Sequence, residues 1–143
     1  MRDVWDPWRE LRRRDHIVFA MDRVAKIGGG AIYARRGAAA AIVIDPDLPR
    51  RERRAALAHE LVHDERGGIA DWRDSHALWG AVVGREEREV EAIVARRLVP
   101  PDALEAWVGA RLTVGPVLLR DVSDEFDVPD RVARVAIERL AER

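Results

Sequence analysis

Arg53-Arg54-Ala55-Ala56-Leu57-Ala58-His59-Glu60-Leu61-Val62-His63 is the stretch on which the reading of this 143-residue chain turns. It contains no Gly or Pro and reads as one uninterrupted helix. Residues four apart on a helix lie one above the other, so His59 and His63 present both imidazoles on one face. Two neutral imidazoles so placed can share one Zn²⁺, leaving positions for a third protein ligand and a water. Glu60, one residue along, falls beside that metal. Its carboxylate suits a general base acting on a water that zinc has acidified. Ala55, Ala56, Leu57, Ala58, Leu61 and Val62 make the rest of the helix apolar, so the histidines are expected to face a core and not open solvent.

Working outward, composition narrows the alternatives. The length suits one main domain with a small appendage, long enough to bury a real core. Charged residues make up 36%, yet the net charge is −1, so no large basic field points to nucleic acid. Cysteine is absent, which excludes disulfides, thiolate metal sites and thiol nucleophiles and leaves His and carboxylates as metal ligands. No apolar run reaches the length of a membrane span and no signal-peptide core stands near Met1, so a cytoplasmic protein is expected.

Upstream of the helix, Asp6-Pro7 reads as an N-cap and first turn for a short helix over Trp8 to Arg14. Trp5, Trp8 and Leu11 are placed to dock it on the core. The runs His16 to Met21, Ala31 to Arg35 and Ala39 to Ile44 have strand length and are joined by Gly-containing connections. Together they predict a three-stranded antiparallel meander. Gly28-Gly29-Gly30 lacks the frame of a phosphate loop and reads as a flexible turn. Asp45-Pro46-Asp47-Leu48-Pro49 then stops the third strand and starts the HELVH helix.

Downstream, Gly67-Gly68 ends that helix and an irregular segment follows to Gly84. A second long helix runs from Arg85 to Leu98, and Val99-Pro100-Pro101-Asp102 breaks it. A short helix over Ala103 to Arg111 precedes two more in the tail, Val117 to Phe126 and Pro129 to Ala141. The expected organisation is a main domain over 1–112 and a helical, helix-turn-helix-like unit over 113–143.

Two histidines alone hold zinc weakly, so a third ligand is needed. Extension to HExxHxxGxxH would require Gly and His where Arg66 and Ile69 stand, which excludes that frame. Asp71, Asp74 and His76 lie in the irregular segment with no spacing rule in their favour. In the acidic helix, Glu87 and Glu91 share a face beside the apolar ridge of Val90, Val94 and Leu98, whereas Glu89 points away. One of the pair can bind the metal while the other accepts a hydrogen bond from a ligand histidine.

Two segments of the chain resemble the ImmA/IrrE family of zinc metallo-endopeptidases. Ala55-Ala56-Leu57-Ala58-His59-Glu60-Leu61-Val62-His63 is similar to the family's LAHELGH. Glu87-Arg88-Glu89-Val90-Glu91-Ala92-Ile93-Val94-Ala95-Arg96-Arg97-Leu98-Val99-Pro100 is similar to its E-x-E-A-N-x-F-A-x-x-L-L-M-P helix. The likeness covers roughly Ile42 to Pro101. Val62, Val90, Glu91 and Ile93 stand where the family has Gly, Ala, Asn or Asp, and Phe. The resemblance implies a minimal zincin-like α+β fold, with a small antiparallel sheet packed on the HExxH helix. It places Glu87 as third ligand and Glu91 at the acidic or amide position after it. It further implies cleavage of a helix-turn-helix transcriptional repressor, relieving repression of phage, mobile-element or stress genes.

The expected activity is peptide hydrolysis by zinc held on His59, His63 and Glu87, with Glu60 as base. An extended substrate could pair alongside Ala39 to Ile44. Tyr33, Arg35 and His76 are the candidates for stabilising the oxyanion. Two alternatives belong to other classes. One is a non-proteolytic module that only binds a repressor, against which an intact Glu60 speaks. The other is a DNA-binding regulator using the last two helices. Asp121, Asp124, Glu125, Asp127 and Asp130 crowd their entry and would repel phosphate, so direct nucleic-acid binding is not expected.

Overall fold

Helix α2 (Arg50–Glu65) carries the HELVH run and is packed on two sides, which explains why its sequence is apolar around so much of its circumference. Leu57 and Leu61 pack with Ile42 and Ile44 of the sheet. Ala55, Ala58 and Val62 pack with helices from the second half of the chain. Leu57, Leu61, Ile42 and Ile44 are each 0% exposed, and burying such a side chain contributes about 1.5–3 kcal/mol.

The structure is a computed structural model describing residues 4–67 and 77–143, with side chains described outside 77–83. Before α2 come α1 (Pro7–Arg12), β1 (Ile17–Met21), a 3₁₀ turn (Arg23–Gly28), β2 (Ala31–Arg36) and β3 (Ala39–Ile44). After it come α3 (Ala77–Leu98), α4 (Pro101–Leu112), α5 (Leu119–Phe126) and α6 (Asp130–Ala141). The fold is α+β, and no helix among the described residues is long and apolar enough to cross a membrane.

The start of α1 follows from its first residues. Asp6 caps it by accepting from Trp8 N at 3.0 Å, and Pro7 supplies a preset first turn. Trp8 then meets Phe19 of β1 edge to face at 5.6 Å, which docks the helix on the sheet.

The sheet corrects the expected meander. Its order is β1-β3-β2, with β3 antiparallel to β2 but parallel to β1. Between β2 and β3 only Gly37 and Ala38 intervene, and Gly37 takes a φ of 63°, as a two-residue hairpin requires. Between β1 and β2 the chain runs from Asp22 to Gly30 and winds Arg23–Gly28 into a 3₁₀ turn. That longer connection carries it past β3, so β1 and β2 end on opposite sides of the same strand. The glycine triplet closes the turn with a defined shape. Gly30 has a φ of 104°, and a Cβ there would stand 3.0 Å from Leu48. Because β3 is paired on both sides, it offers no edge to an extended peptide; β1 and β2 are the outer strands.

Helix α3 begins earlier than expected, at Ala77, and runs through Gly80 and Gly84. Each glycine costs about 1 kcal/mol relative to alanine, an amount a 22-residue helix absorbs. Val90, Val94 and Leu98 of α3 join Val122, Val128, Val132, Ala133 and Ala136 in the cluster that covers the second side of α2.

Acidic residues around the α5–α6 corner meet the basic first turns of α2. Arg50 and Arg51 both pair with Asp127, Arg51 also reaches Asp124 at 2.8 Å, and Arg54 donates to the carbonyls of Phe126 and Asp127. Arg131 of α6 pairs with Glu52 at 2.7 Å. Two of the acids expected to repel phosphate are therefore partners of α2.

Candidate metal centre

The helical periodicity of α2 stacks the imidazoles of His59 and His63, with Nε2 atoms 3.1 Å apart and ring centroids 4.7 Å apart. Glu87 arrives from α3. Its Oε2 lies 3.0 Å from His59 Nε2 and its Oε1 lies 2.8 Å from His63 Nε2. Val90 and Val94, three and seven residues on, are buried with Ala58 and Val62 and fix the rotation of α3 against α2. Two ion pairs clamp the same contact: Arg66 with Glu86, next to the key glutamate, and Arg97 with Glu65 at 2.8 and 2.6 Å.

The three side chains form a group that could hold a metal ion, with donor atoms all within 4.8 Å of one another. Donors bound tetrahedrally at about 2.0–2.1 Å stand about 3.3 Å apart, close to the spacings here. The donor set fits on chemical grounds as well. Two imidazoles and a carboxylate bring their donor atoms together, a donor set that suits a cation. Burial holds His59 below its ordinary imidazole range; Glu87 opposes the shift and His63 adds to it. A neutral ring is the ligating form.

Glu60 is 8% exposed, and no donor reaches its carboxylate among the described residues. Burial, with the charge of Glu87, pushes its carboxyl up to about 7. Glu60 also lines, with His59, a cavity of about 280 Å³. A proton acceptor with that pKa, opening onto a space beside a metal-competent triad, is suited to general-base work near neutral pH.

The remaining candidates are distributed differently. Glu91 is exposed and lines the same cavity, but no hydrogen bond joins it to either histidine. Glu89 is exposed and outside the triad. Tyr33 donates to Asp64 Oδ1 at 2.9 Å, and burial together with that carboxylate pushes its hydroxyl up to about 12. Arg35 donates to Gly37 O within its own hairpin at 3.2 Å. His76, Asp71 and Asp74 lie outside the described residues.

Two features had no counterpart in the sequence reading. Arg131 is the one cation among the described residues lining the cavity. Nothing in its spacing connects the tail to the HELVH helix, so only packing reveals it. Asp64, next to His63, is the second feature. Its carboxylate is 4% exposed and accepts from Arg14 at 3.1 Å, His16 at 2.9 Å and Tyr33. His16, which opens the first strand run in the sequence, thus supports the far end of the HELVH helix. Comparison of the chain with family models, curated proteins and solved structures gives no match.

Proposed function

We propose that this protein is a zinc-dependent endopeptidase acting on a protein substrate. One observation carries the reading: Glu87 meets both imidazoles of the HELVH helix within 3.0 Å, while the buried Glu60, without a donor among the described residues, opens onto the adjoining cavity. A bare binding module has no use for a buried carboxylate kept without donors, at a cost to stability.

In this reading His59, His63 and Glu87 hold the ion. Bound there, Zn²⁺ supplies a Lewis acid that polarises a carbonyl and lowers the pKa of a water to about 7. Glu60 accepts the proton of the attacking water and returns it to the leaving amine nitrogen. The outer edge of β2 has no partner strand among the described residues, and Ala31 at its start lines the cavity. An extended peptide pairing there would lie beside Glu60.

The resemblance of the HELVH and acidic helices to the ImmA/IrrE family extends the proposal to the substrate, a helix-turn-helix repressor, and to a cytoplasmic place of action. The test is metal analysis followed by cleavage. Purified protein should bind about one Zn²⁺ per chain and lose it in His63→Ala. Zinc-loaded protein should cut the repressor encoded nearest its own gene, and a chelator should stop it. Full zinc retention by His63→Ala would refute the centre as drawn. An uncut repressor bound by zinc-loaded protein would refute the peptidase.

A further inference from the structure

The cavity beside the triad is polar at His59, Glu60, Glu91 and Arg131, meets backbone at Gly28 and Gly29, and is otherwise lined by aliphatic side chains. Ala55 and Ala56 of α2, Val94 of α3, and Val132 and Val135 of α6 supply the aliphatic part. Alanines leave room, and the three valines are stiff about χ1, so they give the space a fixed shape. Its volume of about 280 Å³ lies at the lower end of the range for ligand sites, room for one or two side chains. An acidic side chain would lose its hydration against the valines and meet Glu60 and Glu91, while the one cation among the described lining residues, Arg131, is already paired with Glu52 at 2.7 Å.

We infer that this cavity is a specificity subsite for a branched aliphatic residue next to the bond that is cut, and that α6 sets its selectivity. The last helix of the chain then belongs to the substrate cleft. This inference rests on the peptidase reading for the nature of the occupant. Val135 is the wall residue to change, because it is only partly buried and so is less bound into the core than Val132.

The test uses zinc-loaded protein and two probes whose hydroxamate grips the metal and whose side chains differ, N-acetyl-leucine hydroxamate and N-acetyl-glycine hydroxamate. Binding is measured by calorimetry, with no cleavage needed. Burial of the isobutyl group should make the leucine probe about tenfold to a hundredfold tighter. Val135→Phe should fill the space and cut that preference to below about threefold, leaving zinc content and glycine-probe binding unchanged. Equal binding of the two probes to the unmodified protein, or a preference that survives Val135→Phe, would overturn the subsite while leaving the metal centre standing. Failure of both probes to bind would overturn the metal centre and the subsite with it. If melting shows that Val135→Phe does not fold, Val135→Ala serves: it should weaken the leucine probe and strengthen the phenylalanine analogue, and unchanged affinities would overturn the inference.

Discussion

Glu60 and Asp64 stand one turn apart on α2, both buried, at 8% and 6% exposure, and their surroundings could hardly differ more. Burial alone would push both carboxyls up. At Asp64, hydrogen bonds from His16, Tyr33 and Arg14 outweigh burial and hold it below the usual carboxylate range. At Glu60 nothing offsets burial, and the charge of Glu87 adds to it, so the carboxyl rises to about 7. Asp64 ties the α1–β1 connection, through Arg14 and His16, and β2, through Tyr33, to the end of α2. Glu60 is left free to exchange a proton. Two acids on one helix are thus sorted into one held below and one pushed above the usual carboxylate range by their partners, not by their depth.

The sharpest way to break this contrast is to remove each carboxylate in turn. Glu60→Gln keeps the size of the side chain and removes the base. Cleavage should fall by about 10²–10⁴-fold while zinc content stays the same, as followed by single-turnover digestion of the substrate. Undiminished cleavage would show that another group moves the proton.

Next in size is the ligand contrast on α3. Glu87→Gln should lower zinc affinity by about 10²-fold or more, measured by competition with a chelating dye. Glu91→Gln should lower it about tenfold at most, and Glu89→Gln should leave it unchanged, because these residues lie outside the triad. A larger loss for Glu91 than for Glu87 would mean that α3 rotates when metal enters.

Asp64→Asn leaves Arg14 and His16 facing an amide in a buried place. The cost should be about 3 kcal/mol, seen as a melting temperature lowered by roughly 10 °C. A drop of less than about 2 °C would remove Asp64 from the role of fastening.

The smallest effect sharpens the contrast most, because its sign is opposite. In the metal-free protein, the raised carboxyl of Glu60 costs stability as pH climbs from its unfolded value of about 4.5 towards about 7. Above that range the cost is complete. Glu60→Gln should therefore stabilise the metal-free protein at pH 8 by about 1–3 kcal/mol and give little or no gain at pH 4.5. Denaturant unfolding at the two pH values checks this. A variant destabilised at pH 8 would mean that Glu60 holds a structural hydrogen bond.

The sequence by itself determined whatever one element carries internally. The 3.6-residue period puts His59 above His63 and places Glu60 beside them. Asp6-Pro7 starts α1, Gly37 closes the β2–β3 hairpin, and the ridge Val90, Val94, Leu98 marks the buried face of α3. These relations hold within a few residues, where backbone geometry leaves little choice. Only the tertiary structure decided relations between elements. The 3₁₀ connection carried the chain past β3, making β1 parallel to it and closing both its edges. Spacing on α3 left Glu87 and Glu91 equivalent, and it was the rotation fixed by Val90 and Val94 against Val62 that brought Glu87 to the imidazoles. Likewise no local pattern could separate Glu60 from Asp64 or bring Arg131 and Val135 of α6 to the cavity. Partners in those contacts come from segments far apart in the chain, and their meeting depends on how the apolar faces of α2, α3 and α6 share one core.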